Sequence, residues 1–494
     1  MKPLKTIEFG DFIPDQPDFA NPGSVNIKNV LPAAQGYREM PGATAFSDAL
    51  DARNQGAITE IQNDGTVWSY AGDTDKLYRL VDAAWTDSSK SGGYSIATDV
   101  FWEFAKFGEQ VIATNINDPV QAITLGGTQF ADLITSTLKP QARHIGVTDD
   151  FVILGNTSEG GTVYPYRVRW SGIDDATDFD QSAVTQSDFQ DLPEFGWVQR
   201  VIGFGRDAYV FQERAIRVMR YEGTPTIFRF DVAEQNRGAI SPQSVVAFGQ
   251  FVFYLSDDGF YMFDGASSHP IGKEKVDTFF YDDVDSQYLY AISAAIDPKR
   301  ALVAWAYRST SATVGAPVCD KILFYSWATK KWSIVETNNQ FIYRDLSKGY
   351  TLDGLDAVSA TLEGLPFSLD SRVWAGGLIL LAGFNSDNEL VNYTGSALAA
   401  QLDTTEFQAH PGQSSLVDAV RPLVEGASST ITVTPITRDK LNDAATVGSA
   451  VSLNSIGEAD LRSAARFHRF RLDITGGFDH AQGVQVEAVP WGRQ

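Results

Sequence analysis

Apolar and polar residues alternate along most of this chain in short β-type runs, broken every few residues by Gly or Asp rather than carried on at helical spacing. One phrase returns: apolar residues, a turn holding Gly or Asp, then a dense apolar run. It reads FAKFGEQVIAT at 104–114, HIGVTDDFVIL at 144–154, VIGFGRDAYVF at 201–211 and VVAFGQFVFYL at 245–255. Looser copies are SAAIDPKRALVAW at 293–305 and ITEIQNDGTVWSY at 58–70. Each predicts a hairpin in which both strands bury one face and the Gly or Asp supplies the turn.

The residues just before the turns are Ile61, Phe107, Val147, Phe204, Phe248 and Ile296, spaced 46, 40, 57, 44 and 48 apart. That is the period of four-stranded propeller blades. A second strand pair follows several copies, as in AIRVMRYE and TIFRFDV at 215–232. ILFYSWATKKWSIVE at 322–336 predicts a hairpin tipped between Trp327 and Trp332. The expectation is an all-β fold, a six-bladed β-propeller over residues 51–398, with one more candidate blade near 371–395.

Two flanking regions read differently. Residues 1–50 are dotted with Pro and Gly and predict an extended arm that reaches a neighbouring subunit or closes the ring. Residues 399–494 alternate again (TITVTPITR, FHRFRLDIT, VQVEAVPW) and predict a small β-rich module. Within 155–200, the polar stretch SGIDDATDFDQSAVTQSDFQDLPEF reads as an exposed loop.

Composition narrows the function. Of 494 residues, 31 are Phe, 18 Tyr, 10 Trp and 42 Gly, which suits aromatic-rich sheets joined by tight turns. Asp and Glu number 62 against 39 Lys and Arg, a net charge of −23. A surface that grips DNA phosphates or an anionic membrane is therefore not expected, whereas one past which DNA slides is compatible. The single cysteine, Cys319, excludes an intrachain disulfide. The longest apolar run, WAGGLILLAGF at 374–384, is about half a membrane span, and the N-terminus lacks an apolar signal core. No membrane insertion is expected.

Candidate chemistry is sparse. His144, His269, His410, His468 and His480 show no metal-site spacing, and no H-E-x-x-H occurs. The Asp-rich stretches at 73–75, 174–180 and 257–258 do not match a calcium loop, and read as turns. G-x-S-x-G and phosphate-loop motifs are absent. No catalytic, cofactor-binding or metal-ligating residue is assigned, and no cofactor is expected. A carboxylate pair of the glycosidase kind is defined in space rather than in sequence, so it stays open.

The segment IEFGDFIPDQPDFANPGSVNIKNVLPAAQGYREMPG at 7–42 resembles the opening of short-tailed phage tail proteins, the tail nozzle, tail hub or packaged-DNA stabilisation family. The likeness continues through YAGDTDKLYRL at 70–80, ATNINDPVQ at 113–121, YRVRWSGIDDATDF at 166–179, GFGRDAYVFQERAIRVMRYEG at 203–223, the stretch 245–283 and the final FHRFRLDITGGFDHAQGVQVEAVPWGRQ. It is nearly whole-chain, and its elements are individually soft but occur in order.

The resemblance implies a non-enzymatic virion protein, made in the host bacterial cytoplasm. It would form a homo-hexameric ring that meets the adaptor ring beneath the portal, a plug or needle, and tailspikes or fibres. Such a ring retains packaged DNA and then passes double-stranded DNA without binding it stably. On that reading Asp174, Asp175, Asp178 and Asp180 are candidates to line an acidic channel. The rival expectations are a propeller glycan hydrolase or host-glycan adhesin, and another neck or connector component of the same tail.

Overall fold

The computed structural model describes residues 4–347, 361, 376–426 and 428–491. The chain is all-β and propeller-like. It is built largely from four-stranded antiparallel sheets, and among the described residues Asp277–Asp283 is the single α-helix. Among the described residues there are seven four-stranded units. Units 1 to 6 span 57–87, 103–132, 141–191, 198–235, 246–270 and 293–339, each running in simple sequential order. Unit 7 joins Phe341–Leu346, Ile379–Phe384 and Glu389–Ala397 to a strand from far upstream, Pro41–Ala49.

The repeat read from the sequence corresponds to these units. Ile61, Phe107, Val147, Phe204 and Phe248 each end the first strand of units 1 to 5, and Ile296 is the penultimate residue of the first strand of unit 6. The seventh unit lacks a copy of the repeated phrase. Its first strand ends at Leu346 and its second begins at Ile379, so the tight Gly or Asp turn that marks the other copies is missing. The candidate blade near 371–395 supplies this unit's second strand and most of its third, although residues 371–375 of that stretch lie outside the described residues.

First strands pack on their neighbours in sequence order through units 1, 2, 3 and 4. Those of units 5, 6 and 7 do likewise, and the first strand of unit 7 packs on that of unit 1. Units 4 and 5 join through an apolar cluster of Phe211, Val252, Tyr254 and Phe263. The approach is tightest between units 3 and 4. A Cβ on Gly203 would lie 1.7 Å from the Val147 carbonyl oxygen, so only glycine fits there. Between units 5 and 6 the core is aromatic: Phe260 sits 4.9 Å from Trp305 and 5.3 Å from Trp332, and Trp305 stacks on Trp332 at 5.9 Å. Trp332, at one end of the predicted hairpin, is fully buried.

Residues 4–49, expected to form an extended arm that reaches a neighbouring subunit or closes the ring, do not extend away: 4–39 pack into the body, and Pro41–Ala49 completes unit 7. Leu4–Glu8 pairs with His480–Pro490, and the hairpin Val30–Pro32 with Tyr37–Glu39 joins the same sheet through Tyr37 and Ala481. Ile27–Lys28 lies between unit 6 and the C-terminal strands: Lys28 pairs in parallel with Ile334, and Ile27 antiparallel with Leu402. Phe9, Phe12, Ile27, Val30 and Tyr37 are buried in one apolar cluster with Trp305, Trp332, Leu472 and Val486. The segment is built into the body because it carries apolar side chains at the spacing these sheets require, each worth about 1.5–3 kcal/mol when buried.

The C-terminal strands from Ala400 onward divide between two sheets, and neither sheet is separate from the rest. One is a direct extension of unit 6 through Ile27–Lys28, and the other is completed by residues 4–39. The boundaries at 50 and 399 therefore do not mark independent layers. Asp11 reinforces the junction, accepting hydrogen bonds from Trp332 N at 2.5 Å and Lys275 Nζ at 2.6 Å.

Candidate functional site

The four aspartates expected to line a channel lie between the third and fourth strands of unit 3, Thr162–Trp170 and Asp188–Asp191. The loop is pinned rather than loose. Phe179 is fully buried among side chains of units 2 and 3, including Ile112 and Leu154. Asp180 reaches across to the link from unit 2, accepting Leu138 N at 2.7 Å and Thr137 N at 2.9 Å, and these backbone donors hold its carboxyl below the usual range. Asp178 accepts Asp180 N at 3.0 Å, and Asp175 accepts both Thr177 N at 2.9 Å and Thr177 Oγ1 at 2.7 Å. Asp174 has φ of 54°, and its N–H donates to the Asp150 carbonyl at 2.8 Å. Asp174 and Asp175 are exposed, whereas Asp178 and Asp180 are half-buried turn residues.

A second polar centre joins three first strands. Glu103 opens the first strand of unit 2 and is 3% exposed. Its Oε1 faces Arg200 Nη1 of unit 4 at 2.5 Å, His144 Nδ1 of unit 3 at 2.9 Å and Gln243 Nε2, ahead of unit 5, at 3.2 Å. Its Oε2 accepts Ile145 N at 3.1 Å. Burial alone would push the Glu103 carboxyl up, but Arg200, His144 and these hydrogen bonds outweigh it and hold the group below its ordinary value. Both carboxylate oxygens of Glu103 are engaged, Oε1 by three side chains and Oε2 by Ile145 N, which suits a fastener between units. The repeat alignment held a signal for it. Glu103 and Arg200 each stand four residues before their turn residues, Phe107 and Phe204, so two opposite charges share one buried register.

The N-terminal segment shapes a third centre. Asp15 accepts Phe279 N at 2.7 Å and Thr278 N at 2.9 Å, capping the start of Asp277–Asp283. Asp277 itself accepts Phe260 N at 3.1 Å, but burial, with Asp15 and Asp258 nearby, lifts its carboxyl to about 7.

Three of the five histidines, His144, His269 and His468, sit in structural contacts, whereas Nε2 of His410 and of His480 is buried without a hydrogen-bond partner. His144 serves the Glu103 cluster. His269 Nε2 lies 2.8 Å from Asp264, whose carboxyl is lowered to about 2 by that contact and by backbone donors. Buried His468 contacts Ser415 Oγ at 2.9 Å, and burial lowers its pKa. Among the described residues no group of three or more His, Cys, Asp or Glu side chains could hold a metal ion, and no helix is long and apolar enough to cross a membrane. No protein-family model matches the chain, and no curated protein sequence matches it.

Proposed function

We propose that this chain is the nozzle or hub subunit of a short phage tail, with its seven four-stranded units arranged as the blades of one closed propeller. Six copies form a ring that meets the adaptor ring below the portal, the plug or needle, and the tailspikes or fibres. The ring retains the packaged genome and then serves as its exit conduit. The observation that carries this reading is the charge of −23 on a rigid all-β body, in a chain whose motifs resemble that family in order.

The physics of the conduit follows from the charge. An acidic wall repels phosphates at short range and leaves DNA free to slide, while salt confines the repulsion to within about 10 Å of the wall. Exposed Asp174 and Asp175 are suited to such a wall. Asp178 and Asp180 hold the loop's shape and present less free charge. A heterologous interface closes into a ring only at the correct rotation, and a body whose N-terminal segment is locked into its own core offers a rigid surface for that contact.

The test is solution mass, for the protein alone and mixed with portal–adaptor complexes. A homo-hexamer, or a monomer that adds six copies per complex, supports the reading. A chain that never joins the portal–adaptor assembly refutes it. Charge reversal of Asp174 and Asp175 to Lys should leave assembly intact and slow DNA release. Unchanged release kinetics would remove these two residues from the conduit wall.

A further inference from the structure

Beside the Glu103 cluster, where the first strands of units 2, 3 and 4 begin, lies a cavity of about 340 Å3. Its lining is unlike the rest of the surface. Asn156 is 2% exposed, yet its Oδ1 meets no hydrogen-bond donor. The residue has φ of 55° and stands where the strand register shifts between Gly155 and Thr157, a bulge that turns the side chain away from the ladder. An orphaned carbonyl oxygen at that depth costs about 1–3 kcal/mol unless something donates to it.

Glu103, His144 and Gln243 of the lining are engaged with one another, whereas three other polar side chains are not. Arg143 is half-buried and faces no carboxylate at ion-pair distance, and the side chains of Gln199 and Glu213 have no hydrogen-bond partner among the described residues. At the rim Trp197 is 53% exposed, one of the most open large apolar side chains in the molecule.

We propose that this cavity binds one neutral saccharide unit. Buried Asn156 Oδ1 lacks a donor and half-buried Arg143 an acceptor, Gln199 takes either, and the exposed Glu213 carboxylate can exchange water for a donor. A hydroxyl serves as both donor and acceptor, so a polyhydroxylated ring satisfies all four groups together. The indole of Trp197 offers an apolar face to the ring's C–H groups. An anion would satisfy Arg143 but meet Glu213 and Asp99, and a cation would meet Arg143. The volume lies at the small end of ligand sites, enough for a mono- or disaccharide. The proposal is one of binding alone; Glu103, the buried carboxylate of the cavity, is engaged by Arg200, His144, Gln243 and Ile145 N. The site is independent of ring assembly, and either can fail without the other.

The experiment titrates the full chain with glucose, galactose, rhamnose and N-acetylglucosamine, using galacturonate and glucosamine as charged comparators, and reads tryptophan fluorescence and saturation-transfer NMR. At least one neutral sugar should bind with Kd of about 0.1–10 mM. Trp197→Ala should weaken that binding roughly tenfold or more with thermal unfolding unchanged, since the side chain is exposed. Asn156→Gly keeps the positive φ, removes the orphaned acceptor and should weaken binding similarly. The proposal is overturned by no binding of any neutral sugar, by binding that both variants leave intact, or by a charged comparator that outcompetes every neutral sugar.

Discussion

Replacing Glu103 by Gln removes one charge and almost no volume, so its cost measures what the buried carboxylate does between units 2, 3 and 4. The amide presents one oxygen and one NH2. With the oxygen toward Arg200, His144 and Gln243, the NH2 confronts Ile145 N–H. With the amide flipped, it confronts the other three. Either way one buried donor opposes another, and Arg200 loses its counter-ion. Breaking a buried pair by removing one partner costs about 3–5 kcal/mol. The Arg200 side chain is 21% exposed and can partly rehydrate, which places the loss near the low end, at about 3 kcal/mol. Guanidinium unfolding followed by tryptophan fluorescence at pH 7 measures it. The sign with pH is fixed because the Glu103 carboxyl is held low in the folded chain. Its contribution is complete above the unfolded value of about 4.3 and disappears as pH falls through the lower folded value. Wild type and Glu103→Gln should therefore converge in acid. Adding Arg200→Gln should recover part of the loss by removing the stranded charge. A Glu103→Gln protein as stable as wild type at pH 7, or a gap that widens in acid, would refute the fastener reading.

Two further outcomes follow from the junction of units 5 and 6 with the N-terminal segment. Deleting residues 1–13 removes Ile7, Phe9, Phe12 and Ile13 from the core, each worth about 1.5–3 kcal/mol. The C-terminal sheets should then open to limited proteolysis and bind a hydrophobic dye before any assembly is tried; native-like protease resistance would contradict the built-in segment. Asp277, with its carboxyl lifted to about 7, keeps its proton when folded and loses it when unfolded between about pH 4 and 7, so its effect is to lower stability as pH rises across that window. Asp277→Asn should flatten that part of the stability–pH curve and raise the melting temperature near pH 8. An unchanged curve would count against the burial argument.

The repeat was legible because each of six units turns between its first two strands within a few residues, and that local geometry demands Gly, Asp or Asn beside apolar strand ends such as Phe107 and Phe204. Unit 7 lacks such a turn, and its fourth strand comes from Pro41–Ala49, so no local pattern announces it. The fate of residues 4–39 was hidden for the same reason. Ile27–Lys28 is two residues long, and its partners Ile334 and Leu402 lie more than three hundred residues away in sequence, where alternation carries no register. The aspartates at 174–180 stood out by composition, but the role of Asp180 depends on donors at Thr137 and Leu138 in the link from unit 2, some forty residues upstream. Glu103 and Arg200 were visible as equivalent positions in the repeat. His144, three residues before Val147 instead of four, breaks that equivalence and was legible only as an ordinary buried histidine. Asn156 gave no signal in sequence, since its significance lies in the bulge that leaves its oxygen unpaired.

The central claim is that this chain forms the exit ring of a short phage tail. The most direct measurement is the mass of the full-length protein mixed with portal–adaptor complexes, read by light scattering after size exclusion. The account predicts six copies joined to each complex. A monomer that stays unbound at every ratio would contradict it, whatever the cavity beside Glu103 binds.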